Sequence, residues 1–420
     1  MTAPVITPSQ LDVSFSGDGI QSTDFGNTTG ETGRAVAVIA DGRIVVAGTV
    51  NGDFAVVRYL ANGAVDTSFS GDGKLTTHIS GVDKALAMTV QADGKIIVVG
   101  STDANTNLVV VRYLANGDLD TSFNGTGIIS TSIASSTTAE TNAAVLVQPD
   151  GNIVVSGTTN DTYLIQRYTT AGALDTSFSG DGVDKGNFQA ASDYSEIYAM
   201  ARQADGKLLV AGRVYQGSST YDSAIARYNT DGTLDTSFNG TGKKVFDTGS
   251  SKEAINDIQL QADGKIVLAG TRGSTPVGLL VRLNADGSMD TSFDGDGIVT
   301  LSSAGTSTVF NSLSILGTGQ IMVGGVTDSK DAVARSDATG ALDTTFNTTG
   351  YQVNAFGSIG RAIYDTALTA DGKFIAVGEV SNNANRDFGV LQMGANLTSQ
   401  KLMASLGPNP PAEFSDPASL

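Results

Sequence analysis

The sequence predicts an all-β fold, a seven-bladed β-propeller with four antiparallel strands per blade and the last blade closed by an N-terminal strand. Three observations predict it. One phrase, "LDTSFSGDG" from Leu174 and its variants, occurs seven times, two further words recur inside the periods it marks, and helical 3.6-residue periodicity is absent. The Asp of the phrase falls at Asp12, Asp66, Asp120, Asp175, Asp235, Asp290 and Asp343, with gaps of 54, 54, 55, 60, 55 and 53. Periods of this length suit propeller blades, whereas leucine-rich, ankyrin and tetratricopeptide units are shorter.

Each period supplies four short apolar runs. The first is "AVAVIA" (Ala35 to Ala40) and the second "DGRIVVAG" (from Asp41), echoed by "DGKIIVVG" from Asp93 and "DGKIVLAG" from Asp263. The third is "FAVVRYLANG" (from Phe54), and the fourth "KLTTHI" (Lys74 to Ile79) follows the phrase. The D-G and N-G pairs between runs are the residues that tight hairpin turns require, because their central positions need positive φ. The first phrase has no blade before it, and the last blade ends at "FGVLQM" (Phe388 to Met393) with no phrase after it. Moving Ile20 to Phe25 into that last blade gives every blade four strands and leaves no open edge. The propeller is expected over 11–399, between an extension at 1–10 and a Pro-rich segment at 400–420 that reads as a tail or linker.

Alternating strand direction puts the DG turn and the phrase on one face, where the copies barely differ. The other two loops of each blade share the opposite face and vary freely. A third-strand Arg precedes the phrase Asp by eight residues in six blades: Arg58/Asp66, Arg112/Asp120, Arg167/Asp175, Arg227/Asp235, Arg282/Asp290 and Arg335/Asp343. A buried guanidinium requires a carboxylate, so these are expected to be structural ion pairs. In the closing blade Gln392 stands in place of Arg, with Asp12 as its expected partner. The phrase Phe (Phe69, Phe123 and equivalents) is expected to fill the space between blades.

Composition narrows the function classes. Net charge is −18, which repels phosphate backbones and anionic lipid surfaces and makes nucleic acid a poor partner. No apolar run reaches the length of a membrane span, and the N-terminus lacks the charged and apolar regions of a signal peptide. There is no cysteine, so neither disulfides nor thiolate metal sites arise. The single histidine, His78, has no second His or Cys to join it. No P-loop, dinucleotide fingerprint, nucleophile elbow or HExxH word occurs, and no catalytic residue is named.

Two groups of residues are candidate sites. Ten residues before each DG word, where the innermost strand starts, stand Glu31, Asp83, Glu140, Ser195, Glu253, Thr308 and Arg361. If Glu31, Asp83, Glu140 and Glu253 converge at the channel mouth on the variable face, they would hold a hard cation such as Ca2+ through oxygen ligands. Strand-end charges that keep the rim soluble are the alternative. A second oxygen-rich stretch, "DANTN" (Asp103 to Asn107), lacks the Gly and Glu of an EF-hand loop and reads as a polar turn. Blade four is the longest unit, and its extra residues gather Phe188, Asp193, Tyr194, Arg213, Tyr215 and Tyr221 on the variable face. Aromatic rings beside polar groups suit sugar stacking or a protein hot spot, or else anchor their own loops.

The words "LDTSFNGTG", "QADGKIIVVG" and "VRYLANGDLD" closely resemble the bacterial delta-60 repeat, over about Leu11 to Met393. The resemblance implies a propeller module of a large secreted or surface-associated bacterial protein and carries no catalytic residues. Blade six ("TGQIMVGG", "VARSDATG") departs from the pattern. The expectation is therefore a non-catalytic, monomeric binding module within a larger chain, meeting a glycan or protein on its variable face. An enzyme (lyase or hydrolase) using the carboxylate ring, with or without a divalent metal, and an inert spacer are the alternatives.

Overall fold

The computed structural model describes residues 11–26, 30–102, 107–133, 143–159, 162–189, 194–302, 307–357, 360–382 and 385–394. They form seven four-stranded antiparallel sheets with no α-helix among them. After β1 (Ile20–Thr23), the first blade is β2 (Glu31–Val38), β3 (Ile44–Val50), β4 (Asp53–Tyr59) and β5 (Lys74–Thr77), paired in that order. Blades two to six repeat the meander, opening with β6 (Lys84–Val90), β10 (Ala144–Val147), β14 (Ser195–Arg202), β18 (Glu253–Leu260) and β22 (Thr308–Ile315). The first strand extends four residues before the apolar run, starting at Glu31, the position where the sequence places the start of the innermost strand.

Blade seven consists of β26 (Gly360–Leu368), β27 (Phe374–Asn382) and β28 (Asn385–Met393), completed by β1 from the other terminus. Ile20 lies opposite Leu391, and Thr23 opposite Phe388. The junction copies the other blades in its backbone bonds. Asp12 N donates to Gln392 O (2.9 Å) and Gln392 N to Gly19 O (2.9 Å), as Asp66 N does to Arg58 O (2.8 Å) and Arg58 N to Gly73 O (3.0 Å). This is the closure that the chain ends require.

The core lies between blades. Each of the seven apolar clusters joins two neighbouring sheets, for example Val46, Val57 and Phe388 from blades one and seven and Leu209, Ile255 and Leu268 from blades four and five. Middle strands are therefore buried on both faces and read as unbroken apolar runs, while outer strands such as β5 keep partial exposure. Each phrase Phe fills the wedge between blades as expected. Phe123 is fully buried beneath Gly172, whose φ is +90° and where a Cβ would sit 2.9 Å from the ring. Only glycine satisfies both conditions.

All six Arg–Asp pairs form, at 2.6–2.8 Å between Nε and Oδ2. Each guanidinium also works beyond the pair. In blade one, Arg58 Nη1 donates to Ala115 O of blade two, Nη2 donates to Ser68 Oγ, and the plane rests 4.7 Å from the Phe69 ring. The Arg thus ties its own phrase to the next blade. The third residue of each DG word joins the same Asp, a contact the sequence reading missed: Lys207 Nζ to Asp235 (2.8 Å), Lys265 to Asp290 (3.0 Å), Asn152 to Asp175 (3.1 Å). The closing blade corrects one expectation. Asp12 pairs with Lys373 Nζ at 2.7 Å, not with the Gln392 side chain, whose buried Oε1 has no hydrogen-bond partner among the described residues. An amide has no charge to offer the carboxylate, so the closing blade keeps only the contact from the DG word that the other blades add to their arginine.

Candidate functional site

The innermost strands carry a feature that decides what faces the channel. In six blades a β-bulge interrupts the first hairpin: between Gly33 and Ala35, Ala85 and Ala87, Ile197 and Ala199, Ile255 and Asp257, Phe310 and Ser312, and Ile363 and Asp365. A bulge places two residues opposite one and re-aims a side chain. The extra residues are Arg34, Leu86, Tyr198, Asn256, Asn311 and Tyr364, and with Ala143 from blade three they line one pocket of about 220 Å³. Every blade thus contributes one residue to the pocket, each seven positions before the Asp or Thr that opens its DG word, which places the pocket on the propeller axis.

The ring is polar and aromatic. Arg34 lies 4.1 Å from the Tyr364 ring centroid, and that is its one described interaction of this kind. Asn256 Nδ2 donates to Phe310 O (2.8 Å) and Asn311 Nδ2 to Ile363 O (2.7 Å), so each amide is oriented by the next blade. Tyr198 donates to Glu196 Oε2 at 2.6 Å.

A second layer follows the bulge on three consecutive blades. Ser312 Oγ lies 3.0 Å from both Asp257 Oδ2 and Asp365 Oδ1. Asp257 Oδ2 accepts from Leu313 N (2.7 Å), and Asp365 Oδ2 from Val36 N (2.8 Å). Burial pushes the Asp257 carboxyl up to about 7 and the Asp365 carboxyl up to about 6, against the opposing pull of those amide bonds. Neither acid was singled out from the sequence, since an isolated Asp in an apolar run gives no sign of facing another blade's acid.

Of the carboxylates expected to converge at the channel mouth, the three described do not. Glu31, Asp83 and Glu253 are 1%, 0% and 2% exposed, and each turns onto the loop that precedes its own strand. Glu31 accepts from Phe25 N (3.0 Å), Asp83 from Ile79 N (2.7 Å), and Glu253 from Thr248 N (2.9 Å) and Thr248 Oγ1 (2.6 Å). The orphan amides of these loops draw the oxygens away from the axis. Glu140 lies outside the described residues. Around two of these acids stand small groups with ligand atoms within 4.8 Å of one another, Asp24/Glu31/Asp387 and Asp53/His78/Asp83, each local to one blade junction. The His78 imidazole itself is 2.8 Å from Asp53 Oδ1, which raises its pKa.

Blade four divides its expected residues. Phe188 is 2% exposed and packs 5.0 Å from the Tyr163 ring, so it belongs to the core and not to a binding surface; an apolar ring without a polar handle takes the burial available to it. Asp193 lies outside the described residues. The others form one network around buried Glu196. Tyr194 donates to Oε1 (2.7 Å), Tyr198 to Oε2, and Arg213 Nε bonds the same carboxylate. Arg213 also covers the Tyr221 ring at 4.2 Å, and Tyr221 pairs across the hairpin with Tyr215, 5.3 Å between centroids. Tyr198 joins this rim to the channel ring. The ring itself was missed, although its signal is simple: the same offset before each DG word reads Arg, Leu, Ala, Tyr, Asn, Asn, Tyr.

Comparisons with known proteins agree with this architecture. No curated protein matches the chain. Among solved structures, a protein from Lactobacillus plantarum is 14% identical over 85% of this chain and 87% of its own, with a TM-score of 0.45. A protein of unknown function from Dyadobacter fermentans is 12% identical over 89% and 99%, with a TM-score of 0.43. The extracellular domains 1-2 of Drosophila Semaphorin 1b are 9% identical over 92% and 87%, at 0.50. At such identities the likeness concerns the fold alone. Segments 39–69, 91–123, 148–178, 203–238 and 261–293 match the family described as "Domain of unknown function (DUF5122) beta-propeller". Five stretches of this chain are thus similar to a β-propeller repeat family of unknown function.

Proposed function

We propose that the protein is a non-catalytic binding module whose ligand, a glycan or protein, meets the variable face over the channel ring and the blade-four rim. One observation carries the reading. Blades that share the phrase, the DG word and the Arg strand with few departures carry five different residue types at the position that lines the axial pocket. A spacer has no use for a ring of Arg, Tyr and Asn side chains held in place by neighbouring blades, and small polar and aromatic groups converging on a concavity are what a binding site needs. The likeness to the delta-60 repeat supports a module of a secreted or surface protein.

The enzyme reading loses the described members of its carboxylate ring, because Glu31, Asp83 and Glu253 hold loop amides. What remains for it is the Asp257/Asp365 pair, and those oxygens tie backbone N–H groups of adjacent blades, which supports a structural role. A glycan array and a surface-protein library, probed with the intact chain with and without calcium, test the proposal. Ligands whose binding falls in Tyr198→Phe or Arg213→Gln variants support it. An empty result on both, or binding indifferent to these changes, overturns it.

A further inference from the structure

We propose that the axial pocket is a subsite for the carboxylate of an acidic sugar, held by Arg34; the inference rests on the binding-module reading and names the ligand class. The argument starts from charge. In a chain of net charge −18, a partly buried arginine has many acids to choose from, and all six scaffold arginines have one beside them. Arg34 has none within ion-pairing distance among the described residues. The acids nearby are committed elsewhere: Glu196 to Arg213, Asp365 to Val36 N and Ser312, and Asp257 to Leu313 N.

Its geometry suits an incoming anion. Contact with Tyr364 occupies a face of the guanidinium and leaves the N–H donors, which lie in its plane, free of that ring, and Arg34 lines the pocket. A planar donor fork binds a carboxylate better than a point charge does. The rest of the ring supplies what a sugar needs beyond its carboxylate. The amides of Asn256 and Asn311 offer oxygens to hydroxyls, and the Tyr198 ring offers a face for C–H groups. A pocket of about 220 Å³ has the volume of about seven waters at roughly 30 Å³ each, room for one monosaccharide unit. Since the pocket is axial, a chain enters it end-on, and recognition is of a terminal residue.

The test uses the intact chain and isothermal titration calorimetry with galacturonic acid and its trimer, against glucose and a glucose trimer, and a short poly-glutamate peptide as the other carboxylate source. The acidic sugars are expected to bind at least tenfold more tightly than the neutral ones, and Arg34→Gln to weaken them at least tenfold. Asn256→Ala weakens both acidic and neutral sugars, which keeps the site testable should Arg34→Gln fail to fold. Equal binding of acidic and neutral sugars, unchanged binding in a folded Arg34→Gln chain, or preference for the peptide overturns the inference. An array ligand that binds Arg34→Gln as well as the parent removes this inference and leaves the binding-module reading standing. Absence of any ligand in both experiments removes both.

Discussion

Replacing Arg167 by Met should destabilise the fold more than the same change at Arg227, although the two arginines occupy equivalent places. Each donates Nε to its phrase Asp, Nη1 to a carbonyl of the next blade and Nη2 to a phrase Ser. Each also covers a phrase Phe at 4.8 and 4.7 Å. Met keeps the packing and loses the same hydrogen bonds in both, so those losses cancel in the comparison. The difference is the residue left with the carboxylate. Both carboxylates keep their phrase Ser, but Asp235 also retains Lys207 Nζ at 2.8 Å, whereas Asp175 retains the neutral amide of Asn152 at 3.1 Å. Leaving a fully buried carboxylate without its cation costs about 3–5 kcal/mol, an upper bound for Asp175, whose side chain is 14% exposed. A remaining charged hydrogen bond offsets about 1.5–3 kcal/mol of that, nearer the lower figure here because the Lys207 side chain is 29% exposed. Arg167→Met should therefore exceed Arg227→Met by about 1.5 kcal/mol in urea unfolding at matched slopes, and Asn152→Lys should restore most of the difference. Burial alone would raise the Asp175 carboxyl, but Ser177 and Arg167 hold it below its ordinary value. A depressed carboxyl stabilises above its unfolded pKa of about 3.8 and loses that contribution as pH falls. The gap between the Arg167→Met chain and its parent should accordingly narrow below pH 4. Equal losses at the two sites, or no rescue by Asn152→Lys, would refute the clamp as described.

Further outcomes follow from the same contacts. Gln392→Arg should supply the one missing clamp, pairing with Asp12 and raising the unfolding midpoint by the equivalent of about 1–2 kcal/mol; a lowered midpoint in thermal unfolding would mean the closing junction has no room for the guanidinium. Asp257→Asn should stabilise at pH 8 and hardly at all at pH 4. A carboxyl raised to about 7 by burial leaves stability intact below its unfolded pKa and removes it as pH rises through 7, so a pH-independent effect in a melting series would contradict the assignment. Millimolar Ca2+ should leave the melting transition nearly unmoved, because the oxygens of Glu31, Asp83 and Glu253 already accept loop amides; a rise that grows with calcium and reverses with chelator would reinstate a cation at the blade junctions.

The repeated words decide the fold almost unaided. Phrase, DG word and Arg strand recur at a fixed period, and each is a local instruction: a positive-φ glycine for a turn, an Arg eight residues before its Asp, an apolar run buried on both faces. Even the closure was legible, because a phrase without a blade at one end and a blade without a phrase at the other admit one economical arrangement. The site was legible only in part. Glu31, Asp83 and Glu253 look like a ring when counted along the chain, and Phe188 looks like a loop aromatic. Which way a side chain turns depends on unpaired amides and open space that belong to other segments, so the acids cap their own loops and the ring of Phe188 enters the core. The bulges that aim Arg34, Tyr198 and Tyr364 at the axis leave only a fixed offset in the sequence, which does not say which way the side chain faces. They exist because seven innermost strands meet around one axis, and only the assembled ring brings residues from every blade into a single pocket.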